Sequence, residues 1–295
     1  MKKTDKLYLG LLAVMLSQGS GFGVEFKREH YNKGVAYAIA GKFLLAEKEF
    51  KSAKSPAHSL QTELTIINDV QSKKIKTITA IHLFKAVSFY RKNISQAIQE
   101  FSKALENNPK YALAYTNRGL LYANQAKYQL ALQDYTKAIG SEPKYAPAYN
   151  NRALVYTIQH QYDKAIQDYT KAIRLVPNYV SAYSNRGNAY KHKGQYDLAL
   201  KDFNKSIALN SKFVDGYFNR ALLYDKKGLY REALRDQTMV IKLNPRDAQA
   251  YSIRGYLYLV RFNDKLNGCA DVKIACHLGR CNNYQVAIRQ GSCKR

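Results

Sequence analysis

Four asparagines recur at a fixed interval in the middle of the chain, and an asparagine side chain can both donate and accept hydrogen bonds. They form a row with a 34-residue interval that consists of Asn117, Asn151, Asn185 and Asn219. Amides repeated at one position are suited to binding a peptide backbone with little regard for its side chains. The alternative is that each asparagine caps local backbone or only hydrates a surface.

Charged residues recur with the same interval. Five arginines each follow one of these positions or its equivalent, and four aspartates follow the first four arginines at a constant spacing of about half a unit. They are Arg118, Arg152, Arg186, Arg220 and Arg254, with Asp134, Asp168, Asp202 and Asp236. Two antiparallel helices in one 34-residue unit would bring these positions together, and arginine binds a carboxylate through two parallel hydrogen bonds. We therefore predict structural ion pairs rather than anion-binding sites.

All four cysteines lie near the end of the chain, at Cys269, Cys276, Cys281 and Cys293. An even number of neighbouring cysteines favours disulfides in an exported protein. A zinc site is the competing hypothesis, but no Cys-x-x-Cys pair is present. Free buried thiols are the third alternative.

No catalytic constellation is recognisable in the sequence. The six histidines share no motif with a nucleophile or with paired carboxylates, and no glycine-rich phosphate loop occurs. We expect a protein that is not an enzyme and uses no cofactor, no metal and no small-molecule substrate.

Apolar residues recur with the same 34-residue period, and they predict the helices that carry the asparagines, arginines and aspartates. Within each unit, aromatic and small residues recur at helical spacing, which predicts two amphipathic helices joined by a short turn. Prolines cannot continue a helix, and they end the units at Pro109, Pro143, Pro177 and Pro245.

This pattern resembles the tetratricopeptide repeat (TPR) family. Residues 112–145 carry its complete signature, namely Tyr115, Gly119, Tyr122, Ala131, Tyr135, Ala138 and Pro143. The resemblance implies an all-α fold, a TPR solenoid whose antiparallel helix pairs form a right-handed superhelix. The implied organisation is a degenerate TPR-like repeat at 27–60, an insertion at 61–77, five repeats at 78–111, 112–145, 146–179, 180–213 and 214–247, and a degenerate last repeat with a Cys-rich capping helix at 248–295.

The resemblance also implies where a ligand would bind. In TPR proteins the first helix of each repeat lines a concave groove, and the four asparagines occupy a position that faces it. Similar asparagine ladders bind peptide in the TPR superhelix of O-linked N-acetylglucosamine transferase. The predicted groove further includes Ser184, Asn188, Lys191, His192 and Phe218, beside Leu222, Asp225, Lys226 and Tyr256. The carboxylate clamp of some TPR proteins needs a lysine at the position of Ser184, so that specialised function is not expected.

We therefore expect a non-catalytic scaffold that binds a protein or an extended peptide. Lys and Arg outnumber Asp and Glu by 47 to 22, and the net charge of +25 favours anionic partners. The alternative function is a basic envelope-surface protein that binds anionic lipid, polysaccharide or nucleic acid. Its candidate residues are two outward rows, Lys103, Lys137, Lys171 and Lys205, and Lys110, Lys144, Lys212 and Arg246. The tyrosines are assigned to packing, which weakens the nucleic-acid interpretation.

Residues 1–23 have the pattern of a secretory signal peptide, with three lysines followed by a ten-residue apolar stretch and then small residues. They predict an exported protein, periplasmic or secreted. An uncleaved N-terminal anchor is the alternative.

Helix geometry narrows the cysteine pairing. If Cys269 and Cys276 share a helix, they lie about 10 Å apart along its axis, whereas a disulfide needs Cα atoms within about 7 Å. Cys281 and Cys293 flank the final helix and are separated in the same way. Of the two remaining pairings, antiparallel packing of the last two helices favours Cys276 with Cys281 and Cys269 with Cys293.

Overall fold

The computed structural model describes residues 28–53, 61–90 and 93–294, and the predicted signal peptide at 1–23 lies outside them. The described residues form helices joined by short turns, without a strand among them. The all-α fold built from antiparallel helix pairs is therefore confirmed. The chain divides into two compact units, Met1–Gln159 and His160–Arg295. Within the described part, no helix is long and apolar enough to cross a membrane.

The first unit contains eight described helices. They are α1 (Arg28–Ile39), α2 (Phe43–Ala53), α3 (Gln61–Gln71), α4 (Thr77–Phe89), α5 (Ile94–Asn107), α6 (Ala112–Asn124), α7 (Tyr128–Ser141) and α8 (Ala146–Ile158). The predicted degenerate repeat at 27–60 holds the helix pair α1 and α2. The insertion at 61–77 holds a single helix, α3, which packs on α2 and α4, while α1 packs directly on α4.

The second unit begins with the second helix of the repeat at 146–179. Its helices are α9 (Tyr162–Leu175), α10 (Val180–His192), α11 (Tyr196–Leu209), α12 (Val214–Lys226), α13 (Tyr230–Leu243), α14 (Ala248–Tyr256), α15 (Lys265–His277) and α16 (Asn282–Arg289). A π-helical turn, Leu257–Arg261, continues α14. This turn takes up the extra residue of the last repeat, so that Asp271 lies opposite Arg254 even though 17 residues separate them instead of 16.

The two helices of a repeat approach closely because small residues face large rings. The Tyr135 ring is fully buried between α6 and α7. A Cβ atom added at Gly119 would lie 2.8 Å from this ring, and one added at Gly187 would lie 2.7 Å from the ring of Phe203. Glycine at these two positions therefore sets the distance between the paired helices.

The turn between the two helices of a repeat needs a residue with positive φ. Gly194 and Gly228 fill this position with φ of 76° each, whereas Ala126 and His160 adopt φ of 58° and 60° in the equivalent turns. Glycine reaches this region without steric cost, and residues with a Cβ atom reach it at a cost.

Candidate functional site

The predicted groove is carried by the first helix of each repeat. In the first unit α6 packs beside α8, and in the second unit α10 packs beside α12. These neighbouring helices belong to consecutive repeats, so the same repeat position occurs on both of them. Asn117 and Asn151 therefore lie on adjacent first helices in the first unit, and Asn185 and Asn219 lie on adjacent first helices in the second.

The asparagines of the first unit are largely buried. Asn117 is 8% exposed and Asn151 is 4% exposed. Asn151 Oδ1 accepts a hydrogen bond of 3.2 Å from the side-chain amide of Asn150. The buried hydroxyl of Thr116, beside Asn117, has no hydrogen-bond partner. Burial within the protein therefore leaves Asn117 and Asn151 little surface with which to bind a ligand.

The second unit keeps the equivalent positions more open. Asn185, Asn188, Phe218 and Asn219 are all partly exposed. The Asn219 amide donates a hydrogen bond of 3.3 Å to the hydroxyl of the buried Ser184, which links α12 to α10. The bond fixes the orientation of the Asn219 amide and uses only one of its two hydrogens.

The remaining predicted groove residues form a basic end to α10. The imidazole of the exposed His192 stacks on the ring of Tyr162, with centroids 5.1 Å apart. Burial of part of this imidazole, together with the positive charges of Lys191 and other nearby bases, lowers the pKa of His192. Burial and the charge of Lys226 lower the pKa of Lys191. The role of Tyr162 was missed by sequence analysis, because its 34-residue recurrence is the same as that of a packing residue.

The arginines and aspartates form bidentate ion pairs wherever both residues lie within the same one of the two compact units. Arg186 is representative: its Nε donates to Asp202 Oδ2 at 2.7 Å and its Nη2 donates to Oδ1 at 2.8 Å. The same two bonds join the pairs Arg118–Asp134, Arg220–Asp236 and Arg254–Asp271. Arg152 and Asp168 belong to different units, so that pair stays a prediction.

Each of these arginines also contacts the preceding repeat, which the sequence analysis did not anticipate. Arg186 Nη1 donates to the hydroxyl of Thr170 on α9 at 3.0 Å. The equivalent acceptors for the other arginines are Ser102, Thr136, Asn204 and Thr238. These acceptors themselves recur with the 34-residue period, so the repeat pattern contained the information. One guanidinium thus joins three helices, and the arginines are structural.

The outward lysines are surface groups. Lys137, Lys171 and Lys205 are exposed on the second helices, and Lys103 is partly exposed. Lys103 contacts Glu100 at 2.8 Å. The second row, Lys110, Lys144, Lys212 and Arg246, is exposed in the turns between repeats.

The four cysteines come together at the end of the second unit in the predicted combination. The sulfur atoms of Cys269 and Cys293 lie at bonding distance, with Cα atoms 5.6 Å apart. Those of Cys276 and Cys281 do the same, with Cα atoms 3.9 Å apart. In the ranges that the structure describes, no cluster of three or more histidine, cysteine, aspartate or glutamate side chains is arranged to hold a metal ion.

Comparison with family models defines the class of the protein. A model described as TPR repeat matches residues 87–126 and 155–194. Models described as Tetratricopeptide repeat match residues 112–145 and 214–247, 134–167, and 180–213. The matched segments run without a break from residue 87 to residue 247, which is more than half of the chain. The chain therefore belongs to the tetratricopeptide repeat family.

Solved TPR structures share this fold. The pilF protein of Pseudomonas aeruginosa is 22% identical with a TM-score of 0.64, and the match covers 72% of this chain and 97% of pilF. A tetratricopeptide repeat protein from Parabacteroides merdae is 23% identical with a TM-score of 0.56, over 90% of this chain and 98% of that one. YrrB, described as a TPR protein with an unusual peptide-binding site, is 23% identical with a TM-score of 0.50, over 64% and 97%. At this identity the likeness shows the fold alone, and no curated protein matches the chain.

Proposed function

We propose that this TPR protein is a non-catalytic scaffold that binds an extended peptide or protein segment along the first helices of its repeats. The observation that carries the proposal is the placement of Asn185 and Asn219 on the adjacent helices α10 and α12 of the second unit. Both side chains are partly exposed, and Ser184 holds the amide of Asn219 in a fixed orientation. A preorientated amide loses little freedom when it binds a peptide group.

The surroundings of this pair suit a peptide. Phe218 offers a partly exposed apolar ring and Asn188 a further amide on the same two helices. A backbone bound by amides and a side chain packed on an aromatic ring together give moderate affinity with broad sequence tolerance. The peptide-binding site described for YrrB supports the same use of this fold.

A matched pair of double variants tests the proposal. Twelve-residue peptides are first selected from a random displayed library on the full chain, and a selected peptide is then synthesised with a fluorescent label. Its Kd is measured by fluorescence anisotropy against Asn185→Ala/Asn219→Ala and against Lys171→Ala/Lys205→Ala. The asparagine variant loses at least tenfold in affinity, which corresponds to about 1.4 kcal/mol. The lysine variant binds like the unchanged protein.

Two results would overturn the proposal. One is equal affinity of the asparagine variant and the unchanged protein, provided that circular dichroism shows both to be folded. The other is a library that yields no binding peptide at all. Loss of the helical fold in the asparagine variant would show that these residues are structural. In that case Asn188→Ala, which removes an amide with no described partner, takes its place in the comparison.

A second candidate function is supported by the exposed lysines and the net charge of +25. In this alternative Lys171 and Lys205 bind anionic lipid, polysaccharide or nucleic acid. The lysine variant above distinguishes the two functions, because it would then weaken binding to vesicles containing phosphatidylglycerol. Such binding also falls steeply with salt, since exposed charges are screened over about 8 Å at physiological ionic strength.

We further infer that the chain acts outside the cytosol. The pattern of residues 1–23 supports this, as do two cysteine pairs with sulfur atoms at bonding distance. Disulfides persist in oxidising compartments and are rare in the cytosol.

A further inference from the structure

Three basic side chains of the second unit each lie against the ring of a tyrosine. The rings belong to Tyr162, Tyr196 and Tyr230, which occupy equivalent positions of consecutive repeats and begin α9, α11 and α13. His192 stacks on the first ring at 5.1 Å, Lys226 Nζ lies 5.1 Å from the centroid of the second, and the guanidinium of Arg261 lies 4.6 Å from the centroid of the third. We call His192, Lys226 and Arg261 the basic row.

The basic row occupies one position of consecutive repeats. His192 ends α10 and Lys226 ends α12, while Arg261 ends the π-helical turn that continues α14. The extra residue of that turn explains why Arg261 lies one position further along the chain than the repeat period places it. All three side chains are exposed. Their bases are therefore presented to solvent while their positions are fixed by the tyrosines beneath them.

The turns that carry the row contain carboxylates, but these are engaged elsewhere. Lys193, next to His192, pairs with Asp163, and Lys227, next to Lys226, pairs with Asp197 at 2.8 Å. No ion pair involves a member of the basic row among residues 160–294. Unlike the lysines beside it, the row is not ion-paired within this described part of the unit.

Two further groups near the row leave it positively charged. Lys191 is partly buried beside it, and the charge of Lys226 contributes to lowering the pKa of Lys191. Asp225 precedes Lys226, and one of its oxygens is buried without a hydrogen bond. This single carboxylate cannot offset Lys191, Lys226 and Arg261 together. An anionic ligand would relieve the repulsion between them.

The spacing of the row specifies the form of that ligand. Helices packed like α10 and α12 have axes about 8–10 Å apart, and an extended chain advances about 3.3 Å per residue. One repeat therefore corresponds to about three residues of an extended peptide. One face of each tyrosine ring is already occupied by a basic side chain, which leaves less ring surface for stacking with nucleic-acid bases.

We propose that the basic row binds carboxylate side chains of an extended acidic peptide, one carboxylate per repeat, with Asp or Glu at about every third residue. Lys226 and Arg261 supply the positive charge, and the imidazole N–H of His192 donates a hydrogen bond. The inference rests on the proposed function, because Asn185 and Asn219 of the same unit would hold the backbone of that peptide. It adds the charge and the spacing of the bound segment, which the asparagines alone do not specify.

The test uses the full chain and four labelled probes at low salt. Three are twelve-residue peptides of Gly, Ser and a third residue: Glu at every third position, the same number of Glu clustered at one end, and Gln at every third position. The fourth is a twelve-nucleotide oligo-dT. We expect the regularly spaced Glu peptide to bind about tenfold more tightly than the Gln peptide and more tightly than the clustered one. Its affinity falls as salt is added.

A matched pair of variants assigns the effect to the row. Lys226→Gln/Arg261→Gln removes two row charges, and Lys193→Gln/Lys227→Gln removes two charges from the neighbouring ion pairs. The row variant loses about tenfold in affinity for the spaced Glu peptide, because two direct charge contacts disappear. The control loses less than about threefold, because it changes only the general field. Thermal unfolding by circular dichroism confirms that both variants are folded.

Three outcomes would overturn the inference: equal binding of the Glu and Gln peptides, equal losses in the two variants, or tighter binding of oligo-dT than of the spaced Glu peptide. None of these outcomes tests the proposed function, which is tested by the asparagine variant. If one of these outcomes is found while a library-selected peptide still depends on Asn185 and Asn219, the proposed function stands and this inference does not.

Discussion

Replacing Arg186 by leucine tests whether the arginines are structural. Arg186 donates two hydrogen bonds to Asp202 and one to Thr170, and the side chains of Arg186 and Asp202 are 16% and 5% exposed. Arg186→Leu removes all three bonds and leaves the carboxylate of Asp202 buried without its counter-ion. Breaking a buried pair from one side costs about 3–5 kcal/mol. The partial exposure of Arg186 lets water reach the carboxylate, so we expect the free energy of unfolding to fall by about 3 kcal/mol.

The matched control is Lys205→Leu in the same repeat. Lys205 is exposed on α11, so the same new side chain there changes the free energy of unfolding by less than about 0.5 kcal/mol. Urea unfolding of both variants is followed by circular dichroism and by tyrosine fluorescence, because repeat arrays can unfold in steps. Hydrogen exchange of α10 and α11 localises the loss.

A double-mutant cycle with Asp202→Leu as the second single variant completes the test. Arg186→Leu/Asp202→Leu removes the stranded charge together with the arginine, so it recovers part of the stability lost in Arg186→Leu. Equal and negligible effects of Arg186→Leu and Lys205→Leu would refute the reasoning. The arginines would then be surface groups and would return to the set of candidate anion-binding residues.

Three further predictions concern stability and covalent structure. Burial raises the pKa of Glu63, whose Oε1 accepts a bond from Tyr31. The unfolded chain therefore releases this proton at lower pH than the folded chain, so the free energy of unfolding falls as pH rises above the ordinary glutamate pKa. In urea unfolding, Glu63→Gln raises the free energy of unfolding by about 1–3 kcal/mol at pH 8 and changes it little at pH 4. Gly194 has a φ of 76°, so Gly194→Ala lowers the free energy of unfolding by about 1 kcal/mol. Gly140 lies in α7 with open space around it, so Gly140→Ala raises the free energy of unfolding by up to about 1 kcal/mol. Thermal unfolding that ranks the two variants the other way would contradict this. Peptide mapping without reductant recovers the two cysteine pairs described above, and four alkylatable thiols would refute both the pairing and the proposed compartment.

The repeat and its helix pairs could be predicted from the amino-acid sequence. Apolar and small residues with a 34-residue period define which faces of two helices pack, and proline and glycine define where the helices end. The same period also predicted the partners of the arginines. Two antiparallel helices of constant length bring each arginine opposite an aspartate that follows it at a constant number of residues. Arg254 shows the limit of that rule. Its partner Asp271 is 17 residues away, and the π-helical turn restores the register.

Which members of a periodic row are accessible to solvent could not be predicted from the sequence and depends on the packing of the repeats. Asn151 and Asn219 are equivalent in sequence, yet the first is 4% exposed and the second is partly exposed. Burial depends on the side chains that neighbouring repeats place around a position, and these are not periodic. The tyrosines show the same dependence. Tyr128 and Tyr162 are equivalent in sequence, yet Tyr128 packs against the apolar cluster around Tyr135, while Tyr162 stacks on the imidazole of His192 in the following repeat. The side chains packed around each ring decide whether it meets apolar groups or a basic side chain.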